Sequence, residues 1–465
     1  MNQRILFLTG HLARPRLEAV LRSMEPAPFE WAVLDVGVKV AALMTERILM
    51  RRLPRPLEAE RVLLPGRCRA DLQRLTREFG APFERGPDEL KDLPAFFGKP
   101  RATLDLSGRS VRIFAEIVDA TQMGIEALLL RASALRAAGA DVIDLGCLPD
   151  TPFPHLEDAV RALKTGGFAV SVDSADPREL RRGGAAGADF LLSLTELNLP
   201  IAEETGAEPV LIPAQHGDLE SLYRAADAAA KRGLAAILDP VLDPIHFGFA
   251  DSLTRYCEVR AQLPEAELMM GTGNLTELTD TDSAGVTALL MGICSELRIA
   301  NVLTVHVSPH TRRTVQEHDA ARRIMYAAAK DASLPKGYGR ALLQIHDRSP
   351  FPNSSGEIVG FASEIKDAAF RIEVAEDGIH VYNRDGHHVA AEALELFDKL
   401  NVRSDGAHAF YLGAELMKAE IAYRLGKRYV QDEPLDWGCA VDRRGEDETR
   451  LSAAGHTLRA REAGG

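Results

Sequence analysis

The stretch Phe168–Leu180, FAVSVDSADPREL, decides how this chain is read. A short apolar run climbs to a carboxylate, Asp173. The chain then breaks at Ser174–Ala175–Asp176–Pro177 and turns helical. A strand buried on both faces, followed by a helix, is the unit of a parallel α/β sheet. Seven more apolar strands flank it: RIFAEIVDA (112–120), DVIDLG (141–146), DFLLSL (189–194), EPVLIPA (208–214), LAAILDP (234–240), ELMMGTG (267–273) and NVLTVHV (301–307). Helical stretches such as GIEALLLRASALRAAGA separate them, several closed by glycine. Eight β/α units in about 225 residues match the size of a closed (β/α)8 TIM barrel. A doubly wound open sheet is the alternative.

The 465 residues are too many for one ordinary domain. Residues 1–105 read as a small α/β domain, Rossmann- or flavodoxin-like, with strands at ILFLTG, WAVLDVG and RVLLPG. In LLPGRCRADL a Gly turn precedes a helix. A phosphate could sit there, but an ordinary turn is the favoured reading because no full glycine fingerprint is present. Residues 106–335 form the barrel. Residues 336–442 read as an α+β domain, with a hairpin in FRIEVAEDGIHVYN and a helix from AHAFYLG that stops at Gly426. Residues 443–465 are charged and Gly-rich and read as a flexible tail.

A net charge of −13 argues against general nucleic-acid binding. The 5 cysteines are scattered and odd in number, which suits reduced thiols in the cytoplasm. No apolar run reaches membrane-spanning length, and the N-terminus lacks a signal-peptide pattern.

Chemistry in a TIM barrel lives at the carboxyl ends of its strands. Here those ends carry Glu116 and Asp119, Asp144, Asp173, Asp239, Gly271–Asn274 and His306. A ring of carboxylates with one His admits two readings. One is a divalent cation on oxygen ligands. The other is a flat heterocycle rich in N–H donors. The first strand has no HxH pair, which disfavours a hydrolase-type metal. In NVLTVHV the period of two directs Thr304 and His306 to one side, expected to be the barrel interior.

Six motifs, GADVIDLG (139–146), SVDS (171–174), AGADFLLSL (186–194), AILDP (236–240), MGTGN (270–274) and TVHV (304–307), stand in the order and spacing of the dihydropteroate synthase barrel, which they resemble. They also resemble the related pterin-binding methyltransferases. The flanking zones resemble dihydropteroate synthase-related proteins of archaea and methylotrophic bacteria, associated with making a methanopterin-type carrier. The C-terminal zone resembles a domain of those proteins and of a methanopterin-dependent methyltransferase subunit.

The resemblance implies that Asp173 and Asp239 hydrogen-bond the pterin ring, that Asp144 supports that pocket and that His306 holds a departing diphosphate. It also marks departures. Glu116 or Asp119 stands where the family has Asn on the first strand. Leu192 or Ser193 replaces the fourth-strand Asn. Asn274 replaces a Lys, as in the methyltransferases, and Thr304 replaces an Arg. Arg312 and Arg313, just past the eighth strand, read either as substitute cations for the diphosphate or as a solvated helix start. The implied catalytic set is His306, Asn274 and Arg312. The implied substrate-binding set is Glu116, Asp119, Asp144, Asp173, Ser193 and Asp239.

The expected reaction joins a dihydropterin CH2–diphosphate to an arylamine, either 4-aminobenzoate or a ribofuranosyl-aminobenzene phosphate, in folate or tetrahydromethanopterin biosynthesis. Mg²⁺ is the expected cofactor, with no tightly bound organic one. The expected partners are the pterin and arylamine substrates, with neither nucleic acid nor membrane, and a homodimer is the candidate assembly. The alternatives are a pterin-dependent methyltransferase and a non-catalytic pterin-binding protein.

Overall fold

The computed structural model describes residues 3–41, 44–87, 90–99, 105–149 and 151–442. The expected tail, 443–465, lies outside them. The chain divides into two units, 1–105 and 106–465.

In the first unit, β1 (Gln3–Thr9), β2 (Phe29–Asp35), β3 (Arg61–Leu64) and β4 (Phe83–Arg85) form a parallel sheet in the order β2-β1-β3-β4. Alternate residues of β1 face two separate cores, Ile5 and Phe7 on one side and Leu8 on the other. Helices therefore cover both faces, as expected of a doubly wound unit. The helix Leu72–Phe79 is capped by Asp71, whose carboxylate accepts the backbone N–H of Gln73 at 3.0 Å and of Arg74 at 3.1 Å. Asp71 thus fills the helix N-terminus that LLPGRCRADL places after its Gly turn.

The second unit opens with the barrel. Its strands are β5 (Arg112–Ile117), β6 (Val142–Gly146), β7 (Ala169–Asp173), β8 (Phe190–Leu194), β9 (Glu208–Leu211), β10 (Ile237–Leu238), β11 (Glu267–Gly271) and β12 (Asn301–Val305). All pair in parallel, and β12 pairs with β5 to close the ring. The interior is filled rather than hollow. Phe114, Val142, Phe190, Leu192, Val210, Ile237 and Met269 make a dry plug, with the Phe114 and Phe190 rings edge to face at 5.0 Å. Below the plug, Arg112 donates to Asn301 Oδ1 at 2.8 Å and pairs with Glu267.

This register corrects one expectation. Asn301 and Leu303 of β12 face inward, so Thr304 faces outward. Thr304 is fully buried against the helix Thr314–Lys330, with its Oγ1 3.4 Å from that of Thr314. The strand is apolar on both faces, so the period of two fixed the alternation but not which set lay inside.

After the barrel, β13 (Arg371–Ala375), β14 (Gly378–Asn383) and β15 (Gly386–Ala390) make an antiparallel meander. The helix Gly406–Leu425 packs Leu412, Leu416 and Ala419 onto it and ends at Gly426, whose φ is +59°. The hairpin and this helix follow the sequence reading, whereas β4 and β15 are additional strands.

The plug sets the floor of the site. Phe114→Ala is expected to cost about 3–5 kcal/mol of barrel stability, read from urea unfolding by circular dichroism. A loss below about 1 kcal/mol would mean that the interior is not packed as described.

Candidate functional site

Directly above the plug, the next inward-facing position of several strands is polar. Glu116 follows Phe114 on β5, Asp144 follows Val142 on β6, Ser171 and Asp173 follow Ala169 on β7, and Asp239 follows Ile237 past β10. The two-residue step of each strand thus lifts a carboxyl group from the dry layer into the mouth.

Each group is held differently. Asp144 is fully buried, and its Oδ1 accepts Ser171 Oγ at 2.5 Å while Oδ2 has no partner among the described residues. Asp173 Oδ1 accepts Ser193 Oγ at 2.6 Å. Ser193 reaches it because β8 bulges between Leu191 and Leu194, which gives Ser193 a φ of +62°. A non-glycine residue in that region is strained, and such strain clusters at functional sites. Asp239 Oδ1 accepts the Tyr256 hydroxyl and the Val241 N–H, both at 2.8 Å. Glu116 Oε1 lies so close to Gly146 that a Cβ there would sit 2.5 Å from it. Only glycine at 146 leaves that oxygen its place.

Like charges in a dry setting resist ionisation. Burial, then the charges of Asp173 and Glu116, holds the Asp144 carboxyl well above the ordinary carboxylate range. Burial and Asp173 push Glu116 up to about 7. Burial raises Asp173, against the Ser193 hydrogen bond, and raises Asp239 to about 6 against the Tyr256 and Val241 bonds. Among the described residues, no three His, Cys, Asp or Glu side chains converge to hold a metal ion.

The loop that carries Asp239 is fixed from several sides. Arg255 donates to the carbonyls of Pro240 at 3.1 Å and Val241 at 2.7 Å, and to Asp243 Oδ2 at 2.7 Å. Asn274 Nδ2 donates to the Leu242 carbonyl at 2.6 Å. Asn274 thereby ties β11 to the Asp239 loop, and its amide nitrogen is engaged there.

His306 stands apart from the carboxyl ring. It is half-buried and hydrogen-bonded to Arg131 of the helix Ile125–Ala138. Burial and the Arg131 charge hold it below the ordinary histidine value, with Glu277 opposing. Asp119 is exposed and belongs with this pair through its charge on Arg131 rather than with the ring. Glu277 accepts the N–H groups of Val307 at 2.7 Å and Ser308 at 3.0 Å and so fixes the loop after His306.

The substitute cations fall elsewhere. Arg313 pairs with Asp442 at 2.5 Å, and Arg312 is exposed with no partner among the described residues. Arg131 is the cation beside His306. Its signal in the sequence was a single basic residue inside the apolar stretch EALLLRASAL. Ser171 was legible from its period-two spacing to Asp173. Tyr256 had no distinguishing signal. Beside the ring, a cleft of about 740 Å³ opens between the loops after β6 and β7, lined in part by Cys147, Leu148, Phe153 and Ser174.

Residues 3–88 match a family of unknown function (DUF6513), and residues 363–432 match the family PterinBD-DUF4346. An uncharacterized protein of Methanocaldococcus jannaschii is 26% identical over 93% of this chain and 99% of its own length. Among solved structures, dihydropteroate synthase of Yersinia pestis is similar at 20% identity and a TM-score of 0.38, over 49% of this chain and 95% of its own. That of Thermus thermophilus shows 23% identity and a TM-score of 0.37, over 48% and 95%. The barrel is established by its own strand pairing, independently of these likenesses. The family name read from the six strand-end motifs is also the name these structures carry, and the C-terminal match bears a pterin-binding designation.

The raised acids fix a sign for pH dependence. Each binds its proton more tightly in the folded chain than in the unfolded one. Their share of stability is full below the ordinary carboxyl range and is lost as pH rises through about 7 for Glu116. The melting temperature is expected to fall between pH 5 and pH 8, and to fall less in Glu116→Gln. An identical slope in the two proteins would contradict the carboxyl cluster.

Proposed function

We propose that the barrel mouth binds a pterin and that the chain is a dihydropteroate synthase-like transferase. The observation that carries this reading is the ring of Glu116, Asp144, Asp173 and Asp239, raised together above a dry plug. Such a ring needs a ligand that brings donors. A pterin offers a flat apolar face to the plug and a run of N–H and amino donors along one edge. Each donor meeting an ionised carboxylate makes a charge-assisted bond and removes the like-charge conflict. The unpartnered Asp144 Oδ2 is an acceptor waiting inside that ring.

The reaction follows from the two halves of the mouth. The ring holds the pterin, and Arg131 with His306 faces the diphosphate on its methylene carbon. The amine nitrogen attacks that carbon. The C–N bond forms, the C–O bond to diphosphate breaks, and the nitrogen releases one proton to solvent. Burial and the Arg131 charge lower the proton affinity of His306 in the free protein, and a diphosphate's charge raises it. Arg131 supplies fixed positive charge where the leaving group develops its own negative charge. The arylamine is the second substrate, and the cleft beside Cys147 and Phe153 offers it room next to the ring. Asn274, engaged with Leu242, positions the Asp239 loop.

Binding without turnover is the second reading. Its support is the neutral residues Asn274 and Thr304 at positions where the resemblance has cations.

Asp239→Asn is expected to weaken binding of 6-hydroxymethyl-7,8-dihydropterin at least tenfold in a folded protein, measured by calorimetry. An unchanged affinity would remove the pterin assignment. Separately, Arg131→Ala and His306→Ala are each expected to lower diphosphate release with an arylamine while leaving affinity for the free pterin within about twofold. Equal loss of pterin affinity would place both residues in the ring pocket. Absence of diphosphate release from the native protein, with pterin binding intact, would select the second reading.

A further inference from the structure

The first 105 residues hold 18 Lys and Arg against 14 Asp and Glu, whereas the whole chain holds 55 against 68. The excess is not spread evenly over the N-terminal unit. Away from the carboxyl ends of its strands, several cations have acidic partners, Arg4 with Glu58, Arg22 with Glu18, Arg55 with Glu78, Arg61 with Glu84 and Arg74 with Glu46, while Arg77 has none among the described residues.

At the carboxyl ends the pattern changes. Arg52 donates to the Val36 carbonyl at 3.3 Å, just past β2. Arg85, which ends β4, donates to the carbonyls of Cys68 at 2.6 Å and Ala70 at 2.8 Å, in the loop after β3. Carbonyls fix these guanidinium groups without neutralising them. Lys39 after β2 and Arg69 after β3 are exposed, with no carboxylate partner among the described residues. His11 after β1 meets Asp35 at 3.4 Å. Every strand end thus contributes a basic group, and among the described residues Asp35 is an acid beside them. Asp71 is turned to its own helix.

Topology marks the same edge. The order β2-β1-β3-β4 reverses direction between β1 and β3. In open parallel sheets, ligands bind outside the carboxyl ends at such a reversal. Strands stand about 4.8 Å apart, so four ends span roughly 15 Å, the scale of a small phosphorylated molecule.

We propose that the carboxyl edge of this N-terminal sheet, bearing Lys39, Arg52, Arg69 and Arg85, binds a small multivalent anion, a phosphate or diphosphate ester. The carbonyl-held guanidinium groups of Arg52 and Arg85 and the strand order point to it independently. It goes beyond the barrel reading and does not rest on it.

The test is calorimetric titration of the full chain with inorganic diphosphate, in an Arg131→Ala/His306→Ala background that removes the mouth's cations. One site should remain. Adding Lys39→Ala and Arg69→Ala should weaken it at least tenfold, with the fold checked by circular dichroism. Adding Arg22→Ala and Arg55→Ala instead, both in acid pairs, should change affinity less than about twofold. No binding in the background protein, or equal losses in the two pairs of variants, would overturn the proposal. So would a short single-stranded RNA that binds more tightly than diphosphate through the same residues.

Discussion

Four carboxyl groups share one dry mouth, and among the described residues none of them has a basic side chain as its hydrogen-bond partner. Everything around the barrel's upper layer serves that crowding. Glu116, Asp144, Asp173 and Asp239 all carry raised proton affinities, chiefly through burial and, for three of them, through one another's charge. In a protein interior, an unbalanced charge normally recruits a partner or gives up its ionisation. Here the partners are hydroxyls and one N–H, which are too weak to restore the ordinary range. The cluster therefore holds its protons more tightly than exposed carboxyl groups do.

Holding such a cluster needs rigid support, and the chain supplies it from beyond the ring. The bulge in β8 turns Ser193 toward Asp173. Gly146 leaves room for Glu116. Tyr256, fully buried, reaches Asp239 from a helix, and Arg255 beside it fixes the following loop. Arg131 and His306 come from opposite ends of the barrel sequence and meet because β12 closes on β5.

The barrel was legible because each strand announced itself as an apolar run, and five of the eight have a carboxylate or glycine at their end. The carboxylates were legible for the same reason, since a charge after Val–Ile, Val–Ser–Val or Ala–Ile–Leu has few places to go but the mouth. The inward set of β12 was not, because Val302, Leu303 and Val305 satisfy either face of a doubly covered strand. Arg131 was not, because its partner His306 lies 175 residues away and only closure of the ring joins them. Arg313 reads as a free cation beside His306 in the sequence, but Asp442, from the far end of the described chain, lies against it.

The central claim is that burial raises the proton affinity of these carboxyl groups in the free protein and that receiving N–H donors lowers it. Calorimetry of 6-hydroxymethyl-7,8-dihydropterin binding at pH 6.5, repeated in buffers of different ionisation enthalpy, counts protons exchanged on binding. The account predicts a net release of protons, reduced in Glu116→Gln. Binding with no proton exchange, or with net uptake, would contradict it.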